Sequence, residues 1–204
     1  MGGVALALLL MLALDALLTG SEDDLTAYII RSGADVFVAQ DGVQNIHMAA
    51  SAITWRDLRL ASHAKGVASA SPILYTTTVV ETGRGDILSY IIGFDPDEPL
   101  GGPRRLLAGT TNLQEKEVII DAAVARSQNV GLGDTVELFG KDFTVVGLTQ
   151  GLTNIINSVT FIRLEDFADL RGDAAVSYAL LKVQPGVNPD TVAAAINARN
   201  DDVT

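Results

Sequence analysis

The chain opens on VALALLLMLALDALL at 4–18, apolar at every position but Asp15. A helix needs roughly 20 apolar residues to cross a hydrocarbon core, so this run cannot span a membrane by itself. A secretory signal would carry basic residues ahead of the run, and the first basic residue is Arg31. A helix buried in a protein core is the plain alternative. The reading adopted is the end of a membrane helix that starts further upstream, because Asp15 then lies near the exit from lipid, where a carboxylate is cheapest. Residues 1–20 are assigned to it. Ser21 with Asp24 forms a capping-box pattern, so a second helix is expected to restart there with Leu25, Tyr28 and Ile29 on its buried face.

The pattern then alternates between strand and helix periods. Residues 35–39 alternate and stop at Asp41 and Gly42, as a strand does. Thr54 and Asp57 form a capping box, with Ile53 and Leu58 placed as its staple, and predict a helix over 55–64 that Gly66 ends. Residues 73–82 and 87–94 form a β-hairpin about a turn at 83–86. Residues 95–109 contain three of the six prolines and are expected to be a loop crossing between two lobes.

A strand at 118–120 leads to Asp121, positioned as the N-cap of a helix to 128 that Gly131 can end. A second hairpin joins 135–139 to 142–149 through Gly140 and Lys141, with glycine first as a type II′ turn prefers. A strand at 158–162 precedes a helix carrying Leu164, Phe167 and Leu170, stopped by Gly172. A strand at 176–183 follows, and Asn188 with Pro189 opens a last helix with Val192, Ala195, Ile196 and Arg199 on one side. The fold class is α+β.

Composition narrows the chemistry. There is no cysteine, which removes disulfides, thiolate metal sites and thiol nucleophiles. A formal charge of −11 argues against nucleic acid as a partner, because that affinity comes from clustered Lys and Arg. His47 and His63 are the only imidazoles, and no metalloprotease, nucleophile-elbow or phosphate-loop signature surrounds any candidate. No catalytic, cofactor-binding or metal-binding residue is assigned, and the residues contacting a substrate or partner are left unknown.

Four further features have plain structural explanations. Asp95, Asp97 and Glu98 lack calcium-loop spacing and fit a solvated turn. GLGD at 131–134 precedes a strand rather than opening a helix, so it is a turn and not a dinucleotide fingerprint. Arg-Gly-Asp at 84–86 and at 171–173 falls where a turn or helix stop is expected anyway. Trp55 could anchor a binding surface, but at a helix's first turn it more commonly packs partly buried.

Several segments occur together in an order that resembles the large extracytoplasmic domain of MacB/FtsX-type ABC-transporter permeases. They are GADVFVAQ at 33–40, IIGFDP at 91–96, EVIID at 117–121, GLGDTVEL at 131–138, FTVVG at 143–147, TFIRLEDF at 160–167 and VQPGVNPDTVAAAI at 183–196. The resemblance implies a two-lobed domain. A membrane-proximal α/β lobe comes from 21–95 and 173–204, and a β-hairpin-rich distal lobe from 96–172. It further implies a place in the cell membrane with this domain on the extracytoplasmic or periplasmic side, joined to the bilayer through membrane helices not in this sequence. ATP hydrolysis would belong to a separate ABC ATPase subunit or domain, so the domain is not itself an enzyme. It would couple movement of the membrane helices to export, or to action on a partner, with the Ser21 helix and the 189–200 helix as couplers. Expected partners are that ATPase, a second permease copy, and a periplasmic adaptor or other extracytoplasmic protein. The alternative is a secreted soluble α+β enzyme or binding domain with an N-terminal signal.

Overall fold

The computed structural model describes residues 6–12, 28, 32–43, 51–98, 100–152, 158–172, 175–199 and 202–203. Residues 6–12 are helical (α1) and carry an unbroken exposed apolar surface, with Leu6, Leu8, Leu9, Leu10, Met11 and Leu12 all outward. No helix among the described residues is long and apolar enough to cross a membrane.

The remaining elements run β1 (Val36–Val38), α2 (Trp55–Ser62), β2 (Val67–Thr82), β3 (Gly85–Phe94), β4 (Leu106–Gly109), β5 (Glu117–Asp121), α3 (Ala122–Gln128), β6 (Thr135–Leu138), β7 (Lys141–Thr149), β8 (Ser158–Arg163), α4 (Leu164–Arg171), β9 (Tyr178–Val183) and α5 (Pro189–Asn197). Among the described residues the strands form one mixed sheet in the order β1-β9-β2-β3-β8-β5-β7-β4, with β6 bridging β2 and β7. This is the α+β class expected.

β2 organises the sheet. Its first part, Val67 to Ile73, pairs antiparallel with β9, and from Leu74 onward it pairs with β3. The strand starts six residues earlier than its apolar pattern suggests, and it runs through Pro72. Pro72 lies next to the change of partner, where a missing N–H disturbs a sheet least. Side chains alternate across this strand. Ile73 joins a cluster on one face with Ile92, Phe94, Phe161, Tyr178 and Leu180. Leu74 joins a second on the other face with Ile91, Val118, Phe143, Ile162 and Phe167. A third cluster seats α2 and α5 on β1 and β9 through Ala61, Val192, Ile196, Val38 and Leu181.

Several local expectations hold. The Thr54 hydroxyl accepts from Asp57 N and the Asp57 carboxylate accepts from Thr54 N, completing the capping box of α2. Ile53 and Leu58 both pack into the third cluster, as a staple requires. Asp121 caps α3 through Ala123 N, Asn188 caps α5 through Asp190 N, and Gly172 closes α4 in the left-handed region. Tyr28 is buried and its hydroxyl donates to Gly101 O at 3.0 Å. Ser21, Asp24, Leu25 and Ile29 lie outside the described residues.

Other expectations need correction. The segment 95–109 is not loop throughout, because its last four residues form β4 along β7. α3 is ended by Asn129, itself left-handed, rather than by Gly131. The second hairpin turns on Phe139 and Gly140, both with positive φ, and Leu138 pairs Lys141. Two left-handed central residues make a type I′ turn, not type II′. A phenylalanine rarely sits there. Its ring meets Phe167 edge-on at 5.9 Å, which offsets part of the backbone cost by fastening the turn to α4.

One row across the sheet is opposed by its own charges. Asp86 pairs Glu81, Glu81 pairs Glu137, and Glu137 pairs Asp142, so four carboxylates stand side by side on β3, β2, β6 and β7. Like charges directly opposite destabilise a sheet by up to about 1 kcal/mol per pair. Glu81→Lys is therefore expected to raise the urea midpoint by the equivalent of about 0.5–1 kcal/mol. The gain should shrink in 1 M salt, where screening already weakens the repulsion.

Candidate functional site: a cleft between α2 and α4

Two helices lie on the same face of β2. α2 packs against β2 and β9, whereas α4 packs against β3, β2 and β8. β2 changes partners between them, and a cleft of about 540 Å³ is lined by residues of both helices. That volume is within the range of ligand and side-chain pockets. The floor is apolar and buried, formed by Leu74, Leu113 and Val176. Leu164 and Ala168 of α4 form one wall, and Trp55 at the first position of α2 stands opposite, 49 % exposed.

The rim is polar. Asp95, Pro96 and Asp97 come from the turn after β3, Asn112 and Gln114 from the segment before β5, and Arg163 and Glu165 from the start of α4. The Asp95 carboxylate accepts from Asp97 N at 3.0 Å, and Glu98 N donates to Asp95 O, so this acidic segment is the turn its sequence indicates. Arg163 and Glu165 form an ion pair across the end of α4. Behind them Asp166 is buried and accepts from Lys116 N at 3.0 Å; burial pushes its carboxyl above the usual range, and that hydrogen bond draws it partly back.

The other residues singled out from the sequence are dispersed. His63 is exposed at the C-cap of α2, with its Nδ1 near Arg59 O, and His47 lies outside the described residues. The 131–134 segment is a turn in which Gly131 N donates to the Asp134 carboxylate and Gly133 takes a positive φ. Arg84 lies in the tight turn of the first hairpin while Asp86 is already on β3. Arg171 ends α4, and Asp173 lies outside the described residues. Tyr75, Tyr90 and Tyr178 cluster on the opposite face of the sheet, with ring centroids 5.7 and 6.2 Å from that of Tyr75. Burial, with Tyr75 adjacent, pushes the Tyr90 and Tyr178 phenols up to about 12, so neither is a base at neutral pH. Among the described residues no three His, Asp or Glu side chains converge as a metal site.

The cleft itself was not legible in the sequence. Its lining comes from six segments, and of these only Trp55 and the 95–98 turn stand out in the sequence as candidate site features. Trp55 differs from the packed residue expected, because a side chain at the first helical position leans back past the cap and here meets open space.

The family model described as the MacB-like periplasmic core domain matches residues 1–199. The chain belongs to the MacB-like periplasmic core domain family. Solved structures of the same fold include the periplasmic region of MacB from Actinobacillus actinomycetemcomitans, at 15% identity and a TM-score of 0.62, covering 82% of this chain and 86% of that one. The extracellular domain of the noncanonic ABC-type transporter YknZ from Gram-positive bacteria aligns at 13% identity and a TM-score of 0.58, covering 75% and 88%. A comparison with curated protein sequences finds no match. The MacB-like core thus spans almost all of the chain, including both helices that border the cleft.

At the other end of the sheet, Asp35 ties β1 to β9. Its carboxylate accepts from Lys182 Nζ at 2.7 Å and from Val183 N at 2.9 Å. The Lys182 hydrogen bond is the main cause that holds Asp35 below the usual carboxylate range. A depressed folded-state value means a contribution present above the unfolded value near 3.9 and lost as pH falls through the folded one. Asp35→Asn is expected to be less stable than the parent by a few tenths of a kcal/mol to about 1 kcal/mol at pH 7, given the pair's exposure. In denaturant titrations that difference should close as pH drops below about 3.

Proposed function

We propose that this chain is the extracytoplasmic part of an ABC-transporter permease subunit, and that it passes movement of the membrane helices to a substrate or partner outside the membrane. The match to the MacB-like core over residues 1–199 carries this reading. ATP hydrolysis then belongs to a separate ATPase subunit or domain, and the permease acts as a dimer with an adaptor or other extracytoplasmic protein as its companion. Residues 1–20 belong to the first membrane helix; the unbroken apolar surface of α1 suits lipid better than water.

The fold supports a common origin for both connections to the membrane. Gln40, soon after the N-terminal segment, bridges Val203, and Asp41 N donates to Asp202 O at 2.9 Å. Residues 40–41 and 202–203 thus lie together on the side where α5 and β1 share a cluster. A membrane-proximal lobe of 21–95 and 173–204 and a distal lobe of 96–172 fit this arrangement, with β2 and β3 of the first lobe paired to β6 and β8 of the second as the stiff connection between them. Force applied through α5 would then reach the distal strands along β2.

The test is purification of the native full-length protein from detergent-solubilised membranes. Recovery with an ABC ATPase in fixed stoichiometry is expected. Recovery from the soluble fraction with no ATPase overturns the reading and returns attention to a secreted binding domain or enzyme.

A further inference from the structure

The cleft between α2 and α4 has an uneven charge. Asp95, Asp97 and Glu165 stand on its rim against one guanidinium, that of Arg163, which is already paired with Glu165. Asp95 is engaged in its own turn, but the Asp97 carboxylate has no partner among the described residues. A rim of this sign repels phosphates and carboxylates and favours cations. Across the same cleft the half-exposed Trp55 offers an indole face, which attracts a cation through the ring quadrupole. Below both lies the buried apolar floor. At the remaining side Asn112 and Gln114 expose carboxamides that meet each other, Gln114 Nε2 donating to Asn112 Oδ1 at 3.5 Å, and the Gln114 Oε1 and the Asn112 amide N–H groups can accept from and donate to a peptide backbone.

We propose that the cleft binds an extended peptide segment of a partner protein, in which a Lys or Arg is adjacent to apolar side chains. The cation lies between Asp97 and Trp55, the apolar side chains fill the floor, and the backbone pairs with the two carboxamides. An anionic ligand fails on charge, and a wholly apolar one leaves the Asp97 carboxylate on the rim unanswered. The inference rests on the preceding reading only in taking the domain to work on partner proteins outside the cytoplasm.

Selection of a displayed random heptapeptide library on the full chain in lipid nanodiscs tests the cleft directly. Enriched sequences are expected to join Lys or Arg to apolar residues. A synthetic peptide of the enriched sequence should change Trp55 emission saturably, which is readable because Trp55 is the single tryptophan. Asp97→Lys, an exposed position whose carboxylate holds nothing in place, should weaken that peptide at least tenfold. Asp142→Lys, an equal change of net charge away from the cleft, should leave it unchanged. No enrichment, enrichment of acidic or uncharged sequences, or equal weakening by both variants overturns the proposal. None of these outcomes bears on the transporter reading, which depends on the ATPase.

Discussion

Phe161→Ala is expected to lower the unfolding free energy by about 3–5 kcal/mol, the cost of emptying a buried aromatic site. Phe161 is fully buried at the middle of β8, paired with Ile92 on β3 in parallel and with Ile119 on β5 antiparallel. Its ring meets Phe94 edge-on at 5.9 Å and Tyr28 at 6.1 Å. Truncation therefore opens a void that neither neighbouring strand can close without breaking its own ladder, and it also removes an aromatic partner from two rings. Against a typical total of about 5–15 kcal/mol, such a loss brings the chain close to unfolding at ambient temperature. Urea unfolding followed by far-ultraviolet circular dichroism measures it, and a drop in midpoint with unchanged slope is expected. Phe161→Leu, which retains much of the volume, should cost markedly less. A cost below about 1 kcal/mol for the alanine variant would mean that β3 and β5 can collapse onto the gap.

Local structure was readable wherever one residue governs one bond. Thr54 with Asp57, Asp121 and Asn188 each announce a helix start, because a side-chain oxygen must meet a free amide a fixed number of residues ahead. Gly172 likewise marks a stop. What resisted reading was governed by partners distant in sequence. β4 is hidden in a proline-rich stretch, because its strand character comes from β7 rather than from any alternation of its own. The early start of β2 comes from β9, more than 100 residues later, and nothing near Val67 signals it. Phe139 shows the opposite case: a residue with poor local preference for its conformation is retained there because its ring contacts Phe167.

The cleft is a product of the same distant pairings. Trp55, expected to pack partly buried, and the 95–98 acidic turn were both visible in the sequence, but their meeting is set by β2. It carries α2 on its first half and α4 on its second, with the buried Leu74 at the floor between them. The net charge, which in the sequence argues only against nucleic acid, agrees with the sign of the cleft rim. A chain of net charge −11 with few cations near the site is built to attract basic groups, and Arg163 is neutralised by a neighbour two residues away. The chemistry was partly legible in the sequence; the shape came only from the fold.

Gly109→Ala is expected to detach the edge of the sheet. Gly109 has a φ of +86°, and a Cβ there would lie 2.0 Å from Val146 O and 2.7 Å from Gly147 Cα. Both are backbone atoms, so no rotamer change can relieve the overlap. Gly109 faces Gly147 across the β4–β7 ladder, at a place where both strands shift register. The two glycines allow the chains to approach closely enough for Thr110 N to donate to Val146 O at 3.1 Å. Left-handed strain alone costs about 1–3 kcal/mol, and the clash adds to it. The loss is nevertheless limited, because β4 is a four-residue edge strand with partly exposed side chains and can undock without unfolding the centre. The expected result in hydrogen exchange is loss of protection at Ala108 and Thr110, with Val118, Ile119 and Phe161 still protected. Global unfolding by the same substitution would show instead that β4 is needed to hold β7 in the sheet, and hence that β5 and β7 form a single cooperative unit with their edge.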